Sequence, residues 1–183
     1  MLNVASRACT DFEKAVILGA MFEVLVYVYE NYWRGDACPE LQQLGRKLSA
    51  AGFEPDEIEQ ALQWLAGLDL ASHNTQLIDL SQVEAVGNAT HAQSVYSMRI
   101  YSVAEQDHLG APCLGFVSFL ESAGVLPPHM REIVVDRAMA VPGHPVSIDD
   151  LKIIVLMVYW SAGLEPDALI LDELCDDSDR VAH

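Results

Sequence analysis

Residues 39 to 68 read PELQQLGRKLSAAGFEPDEIEQALQWLAGL. Leu41, Leu44 and Leu48 recur at the three- and four-residue spacing of one helix face, after Pro39, a good first-turn residue. Gly52 is placed to stop that helix in the left-handed region. Pro55 opens the next helix, with Asp56 and Glu57 in the first turn where the helix dipole favours acids. Its apolar stripe is Ile58, Ala61, Leu62, Leu65 and Leu68, with Trp64 at the edge. Two helices meeting at the tight Gly52-Phe53 corner form a helix-turn-helix pattern.

Upstream, Phe22, Leu25, Val26, Tyr29 and Trp33 fall at helical spacing. Valine and tyrosine enrichment would also suit a strand, but the length favours a helix ending near Gly35. Residues 1–20 show no firm pattern, so the ordered chain is expected from Met21, with a mobile extension before it. Downstream, Asp69 to Val95 is polar and weakly patterned apart from Leu77-Ile78-Asp79-Leu80. Met98 to Tyr101 alternates as a strand would, and pairing with 77–80 would give a β-hairpin wing.

From Ser102 the pattern is helical again. Ser102 and Glu105 make a capping box for a short helix ending near Gly110. A helix follows from Pro112 to about Ala123, stopped by Gly124, and another begins at Pro127-Pro128. Pro142-Gly143 and Pro145 break that one, and Ser147 caps the most apolar helix of the chain. A last helix is predicted over about 166–174, before an acidic tail at 176–183.

The charge pattern opposes the usual job of a helix-turn-helix. The net charge is −17, and Leu48 to Met98 carries seven carboxylates with no lysine or arginine. Nucleic-acid binding rests on neutralising phosphates with cations, so nucleic acid and anionic membranes are poor partners, and a basic protein suits better. The apolar runs Ala15–Tyr29 and Ile153–Trp160 are shorter than the ~20 residues a bilayer needs. Asp11 and Glu13 stand where a signal peptide needs a basic lead-in, so the cytoplasm is expected.

Candidates for chemistry are sparse. Cys9, Cys38, Cys113 and Cys175 are far apart, and His108 with Cys113 lacks a second ligand pair, so no metal and no cofactor are predicted. No phosphate loop, nucleophile elbow or zinc-protease motif is present. His129, Arg131 and Glu132 read as a solvated first turn before they read as an acid–base cluster. Asp136 and Arg137 are neighbours and are expected on different faces. Cys113 reads as a buried inert thiol, and Trp33, Trp64 and Trp160 as core residues. Arg99 is the first cation after the long gap. It is either an anchor for nearby acids or a contact for a partner, and the sequence leaves both open.

An ordered set of short motifs adds a resemblance. Met21-Phe22-Glu23-Val24-Leu25, Tyr29-Glu30-Asn31-Tyr32, Ala51-Gly52-Phe53, Trp64-Leu65, Ser97-Met98-Arg99-Ile100-Tyr101-Ser102, Gly115-Phe116, Phe119-Leu120-Glu121, Arg131-Glu132 and Asp150-Leu151-Lys152 follow in order. Over about 21–175 the chain resembles the bacterial Smg family. That resemblance implies no assigned activity and no established site residues; it implies a gene neighbourhood with a DNA-uptake protein, which is an association and not a mechanism.

The expectation is a mainly α protein: a winged helix-turn-helix-like unit over 21–102, with three helices and a short β-hairpin, packed on a helical bundle over 103–175. The expected function is a non-enzymatic protein-interaction module. The alternative is a nucleic-acid-associated protein in DNA processing or regulation.

Overall fold

The computed structural model describes residues 5–32, 40–76, 99–143, 145–164 and 166, with side chains from residue 19 onward and, in the second segment, to residue 73. Six helices follow in order: α1 (Ala5–Tyr32), α2 (Leu41–Ala51), α3 (Pro55–Gln76), α4 (Val103–Ser122), α5 (Pro128–Met139) and α6 (Ile148–Ser161). α1 packs on α3 and α6, α2 on α3, α3 on α5 and α6, and α4 on α5 and α6.

α6 is central because almost all of it is apolar. From Leu151 to Tyr159 every residue except Ile153 is buried, and Leu151, Ile154, Val155, Met157 and Val158 have no exposed surface. The core continues through Val24, Leu25 and Val28 of α1, Leu44 and Leu48 of α2, and Val117 and Leu120 of α4. It therefore runs through helices on both sides of Ser102.

The α2–α3 corner follows the sequence closely. Gly52 takes φ 104°, its N–H donates to the carbonyl of Ser49 at 3.2 Å, and Phe53 N–H donates to Leu48 at 3.3 Å. This pair of bonds is the Schellman closure, which satisfies the last carbonyls of α2 without side-chain help. Ser102 caps α4, accepting from Glu105 N–H at 3.3 Å while Ser102 N–H donates to the Glu105 carboxylate at 2.7 Å. Inside α4, Gly110 breaks the helix at φ 67°, ψ 169°, a region open only to glycine, and the helix resumes around Pro112. Ser147 caps α6, accepting from Asp150 N–H at 3.0 Å.

The winged unit is not what forms. Among the described residues there are helices and no strand, which overturns the β-hairpin and the winged helix-turn-helix-like unit. Arg99 to Tyr101 is non-helical chain with no ladder partner among the described residues. Its polar groups are taken up locally: Gln106 donates its side-chain amide to the Tyr101 carbonyl at 2.7 Å, and Glu105 takes Ser102 N–H. The other expected strand, 77–80, lies outside the described residues, as do Trp33 and the predicted 166–174 helix beyond its first residue. α3 also runs past Leu68 to Gln76, into the stretch from Asp69 onward that reads as polar and weakly patterned. Ser72 explains part of this: it is buried and shares a 3.0 Å hydrogen bond with Ser161 of α6, so a polar residue faces the interior with its hydroxyl satisfied.

Candidate functional site

The densest charged cluster is built around Arg99. The capping box fixes Glu105 at the first turn of α4, and α5 supplies Arg131 and Glu132. Arg99 uses its whole guanidinium. Nη2 donates to Glu105 Oε1 at 2.7 Å and Nη1 to Glu105 Oε2 at 3.2 Å. On the other side, Nε donates to Glu132 Oε1 at 3.0 Å and Nη2 to Glu132 Oε2 at 3.0 Å. Arg131 extends the chain, donating from Nη2 to Glu132 Oε1 at 2.7 Å and from Nη1 to Glu121 of α4. The Arg99 guanidinium also lies 4.4 Å from the centre of the Tyr101 ring.

The electrostatics are those of a clamp. Hydrogen bonds from Arg99 hold the Glu105 carboxyl down to about 2, against the opposing effect of burial. Burial would raise Glu132, but hydrogen bonds from Arg99 and Arg131 prevail and keep it below the usual carboxylate range. Arg99 itself is pushed further up by its bonds to Glu105 and then Glu132. Burial raises the Tyr101 phenol, and its hydroxyl is buried without a hydrogen-bond partner among the described residues. A carboxylate at about 2 is a weak base and a raised phenol stays protonated, so these groups resist moving protons at neutral pH.

Other sequence candidates sort themselves by burial. Arg131 and Glu132 join the cluster, whereas His129 is exposed on the outside of α5. Asp136 and Arg137 do meet, contrary to the expectation from adjacency: Arg137 Nη2 reaches Asp136 Oδ2 at 2.6 Å. Long side chains on consecutive residues can fold back on one another, and the Arg137 guanidinium lies where a Cβ on Gly67 would be, 1.9 Å from Nη1. Trp64 is core, with its indole N–H donated to the Arg137 carbonyl at 3.1 Å, and Trp160 is partly buried against that core. Buried His108 bonds the Ala138 carbonyl at 3.0 Å, and the Cys113 thiol donates to the Val146 carbonyl at 3.3 Å. Burial, with the charge of Asp150, pushes the Cys113 thiol up to about 11, so it is neutral and unreactive at physiological pH. Among the described residues, no three His, Cys, Asp or Glu side chains are grouped so as to hold a metal ion, and no helix is long and apolar enough to cross a membrane.

Sequence reading found Arg99 but missed its main distant partner. Glu105 was visible through the capping box; Glu132 lies thirty-three positions away and carried no signal that tied it to Arg99.

The family described as "Protein of unknown function (DUF494)" matches residues 21–183. The chain is 58% identical over 166 residues to "Protein Smg homolog" of Methylibium petroleiphilum, covering 89% of this chain and 100% of the relative. It is 60% identical over 164 residues to the protein of the same name in Leptothrix cholodnii, covering 89% and 100%. The Bordetella avium homolog is 47% identical over 159 residues, covering 87% and 97%. No solved structure matches. With a family model spanning most of the chain and relatives aligned over nearly their whole length, the chain belongs to the Smg family, a family of unknown function.

Proposed function

We propose that this protein is a non-enzymatic interaction module of the cytoplasm whose acidic surface meets a basic protein partner. The observation that carries this reading is where the positive charge goes. Among the described side chains, Arg99, Arg131 and Arg137 are 18%, 11% and 15% exposed, and each is bonded to carboxylates. Lys152 is buried at the start of α6. In the same set only Arg46 and Lys47 are exposed cations, and Lys47 lies over the Tyr32 ring at 4.9 Å. The carboxylates are distributed the other way: Glu23, Glu30, Glu54, Asp56, Glu59 and Asp107 are all exposed.

The outer charge is therefore more one-sided than the formal count suggests. The exposed positions of α3 include Asp56, Glu59, Gln63 and Asp69 and no lysine or arginine, so this face repels a phosphate backbone. The low basicity of Glu105 and the neutral Cys113 thiol favour a binding role over catalysis.

The test is a pair of titrations at ~50 mM salt, one with a lysine-rich peptide and one with duplex and single-stranded DNA. The peptide is expected to bind, with affinity falling as salt rises, while DNA mobility stays unshifted. A DNA shift that weakens steeply with salt, or no binding of the peptide, overturns the reading.

A further inference from the structure

The clamp at Arg99 rigidly holds a segment that presents bare apolar side chains. Ile100 is 88% exposed and Val103 is 73% exposed, the two highest values among the large exposed hydrophobic residues described. Three residues apart, their Cα atoms lie within about 11 Å of each other. The backbone between them is held on both sides, by the Arg99 bonds to Glu105 and Glu132 and by the capping box at Ser102.

A fixed apolar projection is a costly thing to show to water and an inexpensive thing to bind, because its ordering entropy is already lost. Its surroundings state the chemistry of what covers it. Asp107, one turn beyond Val103 on α4, is exposed, and the cluster around Arg99 holds three carboxylates, Glu105, Glu121 and the half-exposed Glu132, against the two guanidiniums of Arg99 and Arg131, which leaves it net negative. An apolar centre with a carboxylate rim fits a partner segment that carries an aliphatic anchor flanked by lysine or arginine, and it disfavours a second copy of this acidic chain.

We propose that Ile100 and Val103, held by the Arg99 clamp and rimmed by Asp107 and Glu132, are the docking point for a basic amphipathic segment of a partner protein. This rests on the basic-partner reading above and assigns it a place.

The experiment titrates the full chain with two model peptides of equal length and charge, one of lysine and leucine and one of lysine and serine. The expected result is tighter binding of the lysine–leucine peptide, weakened about tenfold in the Ile100→Ser/Val103→Ser double variant, with the lysine–serine peptide unaffected by those changes. Both side chains are largely in water, so the unfolding midpoint is expected to stay at its wild-type value. Leu70→Ser, a change at another exposed apolar residue on α3, is expected to leave binding unchanged. If the double variant binds the lysine–leucine peptide as tightly as wild type, or if Leu70→Ser weakens it equally, the docking point is overturned while the basic-partner reading stands. If the wild-type chain binds neither peptide, both fall.

Discussion

Two short connections in this molecule are held by opposite means. The corner between α2 and α3 closes with backbone bonds: Gly52 and Phe53 N–H groups return to Ser49 and Leu48, and the Phe53 ring packs edge-on to Tyr27 with centroids 5.4 Å apart. The junction entering α4 is held by side-chain charge, with Arg99 gripping Glu105 on one side and Glu132 on the other. The first closes through backbone bonds spanning three and five residues and uses no ions. The second depends on a residue in a different helix and on the ionisation of two carboxyl groups. Local backbone closure should therefore be indifferent to pH and salt, and the ionic closure should respond to both.

The largest expected effect breaks the ionic side. Arg99→Ala leaves the largely buried Glu105 carboxylate without its main donor and the half-exposed Glu132 with Arg131 alone, and should cost about 1–3 kcal/mol in urea unfolding. Arg99→Lys should recover only part of this, because an ammonium cannot grip two carboxylates with a planar fork. A loss below about 0.5 kcal/mol would mean the cluster is an incidental surface arrangement.

Acid should weaken the same junction by degrees. The Glu105 carboxyl is lowered from 4.5 to about 2, so its contribution is present in full above 4.5 and is lost as pH falls through about 2. In Glu105→Gln that acid-dependent part is already missing. Unfolding midpoints of the two proteins should therefore converge as pH drops through this range, and parallel curves would contradict the assignment.

The smallest effect belongs to the corner. Gly52→Ala places a side chain at φ 104° with nothing within 4 Å of the added Cβ, so the cost is backbone strain alone, about 1 kcal/mol. That cost should be the same at ~0.1 M and ~1 M salt, whereas the Arg99→Ala penalty should shrink. A salt-dependent Gly52→Ala penalty would erase the distinction between the two connections.

The same contrast explains what could be read from the sequence. The Gly52 stop, the Ser102–Glu105 box, the Gly110 break and the Ser147 cap are local devices, and each stands where the residues indicated. The run of α3 through Ser72 was hidden, because its polar residues are satisfied by α6 and periodicity alone does not show that. The expected wing strand failed for a related reason. Alternation around Arg99 is real, since Arg99 turns inward and Ile100 outward, but it reflects a clamp with distant carboxylates and not a pleated pair. The Gly67–Arg137 contact was equally silent, because a slot on one helix and the group that fills it on another leave no joint mark in a single chain.

That contact limits how this molecule can change. The space above Gly67 already belongs to the guanidinium of Arg137, whose carbonyl in turn receives the Trp64 indole. A methyl group at residue 67 requires the Arg137 guanidinium to swing aside, so the two positions are coupled across the α3–α5 seam: the cost of Gly67→Ala is set by the occupant of residue 137.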